Sequence, residues 1–152
     1  MRTVFLIIFQ ILCIACIYSQ NTAVDYLEKA IILQKENDTE TALLMCSKAI
    51  QMDSTLTPAH FLRGYVNYLL ENYRDAIADF TKAIDQKPDY IEAIYYRGRA
   101  KHANGNFLGA LQDYNKSREL SPAQTTLMVA RGWFSSLFGG SNTKENAPPV
   151  VD

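Results

Sequence analysis

Residues 94–99 read IYYRGR, and the Arg97-Gly98 pair at their centre decides how the rest of the chain is read. The same dipeptide stands at Arg63-Gly64 in FLRGYV and at Arg131-Gly132 in VARGWF, so three copies are spaced 34 residues apart. A fixed period of that length marks a chain assembled from copies of one supersecondary unit.

Placing Gly64 and Gly98 at position 8 of the unit divides the chain into 23–56, 57–90 and 91–124, and further columns then agree. Ala42, Ala76 and Ala110 share position 20, while Ala49, Ala83 and Ser117 share position 27. Cys46, Phe80 and Tyr114 share position 24. Position 16 holds Asp38, Asn72 and Asn106, and position 32 holds Ser54, Pro88 and Pro122.

Each column has a physical reason. Asp or Asn between two apolar-periodic segments is where a short side-chain oxygen caps an orphan backbone N–H. Gly105, before Asn106, suits the left-handed residue that closes a helix. In SPAQ at 121–124, Ser is placed as N-cap with Pro at the first helical position and Gln at N3, and Asp89 with Glu92 makes a similar capping box. Each unit therefore reads as helix, tight turn, helix, turn, with no alternating strand pattern in competition. Small residues at positions 8, 20 and 27 belong where two helix axes approach most closely. Glycine inside a helix costs about 0.8–1 kcal/mol against alanine, so its recurrence implies a packing need. The arginine beside it is expected to lay its stem over the seam and keep its head in water.

The pattern resembles the tetratricopeptide repeats, whose 34 residues run W-x2-L-G-x2-Y, then A-x3-F, then P. The second unit carries Gly64, Ala76-x3-Phe80 and Pro88, and the third carries Gly98, Ala110-x3-Tyr114 and Pro122. The first is degenerate, with Ala30, Cys46 and Ser54 in those places. Other departures are His60 and Ile94 for Trp, Arg63 and Arg97 for Leu, and Asn67 and Lys101 for Tyr. The resemblance implies an all-α fold, a short right-handed α-solenoid of three helix-turn-helix repeats. The phase continues through TLMVARGWFSSLFGG at 126–140, with no second helix after it. Residues 122–138 are expected to form a capping helix, with Trp133, Phe134, Leu137 and Phe138 covering the last open face. WFSSLF at 133–138 lacks the basic face of a lipid-surface helix. The 139–152 segment is expected to be a disordered tail.

At the other end, MRTVFLIIFQILCIACIYSQ carries Arg2 and then an apolar run from Val4 to Tyr18 broken only by Gln10. That length suits a signal peptide better than a membrane span of about 20 residues. Cleavage after Ser19 would leave a secreted or periplasmic chain. An uncleaved anchor, or lipidation at Cys16, are the alternatives; Cys13 stands where bacterial lipoprotein signals usually have Leu. Only Cys46 remains beyond this segment, so no internal disulfide can form there.

The whole chain has 15 Lys and Arg against 16 Asp and Glu, which excludes the single-sign field that nucleic acid requires. Arg97, Arg99 and Lys101 spread around their helix and make no basic stripe. A composition of 48% hydrophobic and 20% charged residues indicates a folded chain. His60 and His102 fall on different sides of different helices. No nucleophile is spaced beside either, and Cys46 with two separated imidazoles offers no metal cluster. There is no Gly-rich phosphate loop. No enzyme activity and no cofactor are expected.

In the proteins that this chain resembles, positions 2, 5, 9, 12 and 13 line a concave ligand-binding surface. Carried over, that implies a partner-binding groove of Phe61, Tyr65 and Tyr68 from the second unit and Tyr95, Arg99 and His102 from the third, with Leu27, Ile31 and Gln34 added by the first. Each triplet follows i, i+4, i+7 and shares a helix face. Tyr and Arg are enriched at binding hot spots. Relatives that clamp a C-terminal carboxylate carry Lys and Asn where Leu27 and Ile31 stand, and Lys and Arg where Glu92 and Tyr96 stand, so that subclass is not indicated. The expectation is a monomeric adaptor for a protein or peptide partner. The alternative is a structural envelope component, tethered to a membrane through residues 1–19 or Cys16, whose rings only fill the inner radius of the solenoid.

Overall fold

The computed structural model describes residues 22–137, with side chains over 22–130. The export segment with Cys13 and Cys16, Phe138 and the 139–152 tail lie outside the described residues. The side chains of Trp133, Phe134 and Leu137 do so too.

Among the described residues the chain forms seven helices and no strand: α1 Ala23–Lys35, α2 Thr39–Met52, α3 Thr57–Leu69, α4 Tyr73–Gln86, α5 Ile91–Ala103, α6 Phe107–Leu120 and α7 Pro122–Leu137. Helices α1 and α2, α3 and α4, and α5 and α6 pack as hairpins. Each hairpin stacks on the next through α2 against α3 and α4 against α5, and α7 lies on α6. This is an all-α solenoid, in which α1, α3 and α5 also meet along one side.

The turns inside the hairpins share one geometry. Asn37, Glu71 and Gly105 all have positive φ, at 69°, 62° and 83°. The next residue's N–H reaches five residues back, from Asp38 to Leu33 (2.9 Å), Asn72 to Asn67 (2.9 Å) and Asn106 to Lys101 (2.8 Å). These bonds close each helix in the same left-handed C-terminal motif. The caps that open the following helices are less uniform. Asp38 accepts from the Thr41 N–H and Asn106 from that of Gly109, but Asn72 makes no such bond. The expected Asp89–Glu92 box is also not formed: the N-cap of α5 is Tyr90, and the Glu92 carboxylate pairs with the Gln124 amide of α7. A contact between successive units thus replaces a local cap.

The small-residue columns mark the closest approaches. Ala30, Ala42, Ala49, Ala76, Ala83, Ala110 and Ser117 are all buried. A Cβ on Gly64 would lie 3.0 Å from two carbons of the Phe80 ring, and one on Gly98 2.9 Å from the Tyr114 ring. The ring of the second helix therefore rests on the bare backbone of the first.

Arg63 and Arg97 do not keep their heads in water. Arg63 donates from Nε and Nη2 to both carboxylate oxygens of Asp79, at 2.9 and 2.6 Å. Arg97 does the same to Asp113 at 2.8 and 2.7 Å, and Nη1 adds a bond to the Thr81 hydroxyl of the preceding unit. Both aspartates are buried. A carboxylate in that position requires a paired cation, and a bidentate guanidinium supplies charge and hydrogen bonds together. The remaining acceptor capacity is filled by the Asn67 amide at 3.3 Å on Asp79 and the Lys101 ammonium at 2.8 Å on Asp113. Arg97 and Lys101 together hold the Asp113 carboxyl below the usual range against the opposing effect of burial.

Two apolar clusters fill the interior, and α3 contributes to both. Leu62 and Val66 join Leu27, Ala30, Ala42, Cys46 and Ala49, while Phe61 and Tyr65 join Ala76, Phe80, Ala83, Tyr90 and Ile94. Burial pushes the Cys46 thiol up to about 12. His60 is buried as well, with Nε2 3.1 Å from the Ser54 carbonyl.

Gly98→Val drives a branched side chain into the Tyr114 ring. Overpacking of this kind costs about 1–3 kcal/mol, with little helix-propensity gain to offset it. Urea unfolding of the variant should show a lower midpoint at unchanged slope. Asp113→Ala leaves Arg97 and Lys101 facing one another without their acceptor and should cost about 3 kcal/mol, the low end for breaking a buried pair. A double replacement, Arg97→Met with Asp113→Leu, should recover most of that loss in the same assay.

Candidate functional site

Helices α3 and α5 present their adjoining faces along the side where first helices meet, and this face carries the six residues expected to form a groove. Their burial divides them. Phe61, Tyr65 and Tyr95 are 4%, 1% and 6% exposed, so these rings fill the seam and are closed to a ligand. Tyr68 and Arg99 are half-buried, and His102 is exposed at the end of α5, edge-on to Phe107 at 5.1 Å. From the first unit, Leu27 and Gln34 are buried and Ile31 is half-buried.

The residue that joins the set is Tyr96. Its ring lies 5.2 Å from Tyr65, 5.5 Å from Tyr95, 6.1 Å from Phe61 and 6.4 Å from Tyr68, in edge-on geometries that suit aromatic quadrupoles. Tyr114 of α6 approaches Tyr95 at 5.8 Å, and Tyr73 at the start of α4 approaches Tyr68 at the same distance. Position 6 is a ligand position only in carboxylate-clamping relatives, where it holds Arg, so Tyr96 was not among the expected groove residues. The available signal was the doublet Tyr95-Tyr96, which sends one ring into the next seam and the other back onto α3.

Arg99 sits over this cluster. Its guanidinium carbon is 5.2 Å from the Tyr68 ring centroid and 5.8 Å from that of Tyr96, inside the range of cation–π attraction. The groups that act most strongly on its charge are the phenols of Tyr68, Tyr95, Tyr96 and Tyr114, and no carboxylate is among them. Burial raises the Tyr65, Tyr95 and Tyr114 phenols, the last to about 12. The face therefore combines phenol rings with one guanidinium. Among the described residues there is no group of three or more metal-ligating side chains and no helix long and apolar enough to cross a membrane.

The other side of the first seam differs. There a recess of about 320 Å³ lies beside Arg63, Asn67 and Asp79, where the shorter Asn67 stands in the place of Lys101.

Residues 61–125 match the family model described as tetratricopeptide repeat. No curated protein matches the chain. Among solved structures, the TPR domain of Arabidopsis OM64 is similar at 21% identity and a TM-score of 0.68, with 76% of this chain and 95% of that one covered. The second TPR domain of the human RPAP3 protein, in complex with the HSP70 peptide SGPTIEEVD, is similar at 23% identity and a TM-score of 0.66, covering 72% of this chain and 92% of that one. The protein MamA is similar at 19% identity and a TM-score of 0.69, over 86% and 74%. At these identities the likeness is one of fold.

The raised thiol and phenols fix the alkaline behaviour. Cys46 and Tyr114 have folded pKa values of about 12 against ordinary values of 9.0 and 10.0. The unfolded chain therefore ionises first, and the stability held by the neutral groups is complete below pH 9 and lost as pH rises toward 12. Thermal melts should show a midpoint level through pH 8 and falling steadily above 9, with Cys46→Ala flattening the first part of the decline.

Proposed function

We propose that the chain is an adaptor whose α3–α5 face binds a segment of another protein, through the accessible residues Tyr68, Tyr96, Arg99 and His102. The observation that carries this reading is Arg99: a half-buried cation over two rings, with no acid beside it. A purely structural face would be expected to neutralise such a charge, as the same helix does for Arg97 with Asp113. The similarity to a repeat domain seen in complex with a peptide supports the same reading. The apolar leader at 4–18 supports export, with the working protein secreted or periplasmic and monomeric.

A second reading is favoured by the burial of Phe61, Tyr65 and Tyr95. In it the rings serve only to stack the units, and the chain is a membrane-anchored structural component.

Tyr68→Ala with Arg99→Gln separates the two readings. An adaptor should lose its captured partner at least tenfold in affinity, while the melting midpoint moves by a few degrees at most. Partner recovery unchanged in the double variant would leave the structural reading. N-terminal sequencing of the native protein should find a chain beginning at Gln20; a chain retaining residues 1–19 would indicate the anchor.

A further inference from the structure

Arg99 says more about the partner than that one exists, provided the binding reading above holds. We propose that the α3–α5 face recognises a single carboxylate, an Asp or Glu side chain flanked by apolar residues in the bound segment, with Arg99 as its receptor and the Tyr68 and Tyr96 rings as the floor beneath the flanking residues.

Four observations lead there. First, the contacts Arg99 makes are with ring faces, those of Tyr68 and Tyr96, although a guanidinium carries five N–H donors. Second, the rings of Tyr68 and Tyr96 lie within 5.2 and 5.8 Å of its carbon and restrict where it can move, so its fork is held ready before a ligand arrives. A side chain fixed beforehand loses less entropy on binding, and a planar fork matches a carboxylate in two parallel bonds. Third, the groups that act most strongly on its charge are the phenols of Tyr68, Tyr95, Tyr96 and Tyr114, and no carboxylate is among them. Fourth, the cations on the same helix are already committed. Arg97 and Lys101 both bond to Asp113, at 2.7 and 2.8 Å. One free positive charge balances one carboxylate, whereas a phosphate dianion would find no second cation. The phenyl surfaces around Arg99 suit apolar neighbours on the ligand and would leave further charges there unpaired.

The arrangement is distinct from a clamp on a chain-terminal carboxylate, because Leu27, Ile31, Glu92 and Tyr96 occupy the places such a clamp would need. Recognition of a side chain requires only one basic group.

A phage-displayed library of random dodecapeptides, panned on the full chain, tests the inference. The binders should share one Asp or Glu with apolar neighbours. Changing that acid to its amide in a synthetic copy should weaken binding to the wild-type chain about tenfold or more, as expected for loss of a charge-assisted bidentate contact. The same change should cost less than twofold against Arg99→Gln. The peptide swap leaves the protein untouched, so a folding defect in the variant cannot imitate this coupling. Binders without a shared acid, yet lost on Tyr68→Ala, would overturn the carboxylate and leave the binding face standing. Binders whose acid matters equally to wild type and Arg99→Gln would also overturn it. Failure to select any binder, or binders indifferent to both Tyr68→Ala and Arg99→Gln, would remove the binding reading along with it.

Discussion

Bringing two helices close enough for a ring to rest on a glycine backbone is the constraint from which the other features of this solenoid follow. Phe80 lies on Gly64 and Tyr114 on Gly98, and one residue earlier in each helix an arginine grips an aspartate across the same crossing. The two contacts need one another. Close approach buries Asp79 and Asp113, a buried carboxylate requires a paired cation, and each guanidinium supplies one across the same crossing. The consequences reach the candidate binding face. Tyr114, seated on Gly98, packs against Tyr95, Tyr95 packs on Tyr96, and Tyr96 with Tyr68 flanks Arg99. The ion pair on one side of α5 thus helps to position a cation on the other.

Two arginines separated by a single residue meet opposite fates in that helix. Arg97 faces α6 and is neutralised twice over, by position and by hydrogen bonding. Arg99 is turned about 200° further round the helix, toward α3, and meets only phenols. A net charge near zero for the whole chain conceals this difference, because the relevant quantity is the local balance on each face of one helix.

Much of the fold was legible in the sequence because repetition turns weak local signals into strong ones. One glycine in a helix means little, but glycines and alanines recurring in one phase mark a crossing, and Gly64, Gly98 and the alanines of those columns are buried. Gly105 announced a left-handed turn, while its counterparts Asn37 and Glu71 adopt the same backbone without the same residue. The arginine's role was missed since its partner is sixteen positions away: Asp79 and Asp113 recur as faithfully as Phe80 and Tyr114, but no local rule ties an acid at position 23 to a base at position 7. The candidate site was less legible. Periodicity places Phe61, Tyr65, Tyr68, Tyr95, Arg99 and His102 on the correct side of their helices, yet it does not say how far the next unit covers each. Phe61, Tyr65 and Tyr95 vanish under a neighbour, and Tyr96, on no expected column, emerges as their hub.

The first hairpin lacks the grip that the other two possess. Where they carry Arg, Gly and Asp, it has Lys29, Ala30 and Met45, and where they carry a ring it has Cys46. Helices α1 and α2 are held by an apolar cluster of Leu27, Ala30, Ala42, Cys46 and Ala49, which Leu62 and Val66 of α3 complete. The rod is therefore mechanically uneven. Its first hairpin, without the buried ion pair, is expected to open before the two that hold one, so breathing motions should begin there and stop at α3, the helix that belongs to both interiors.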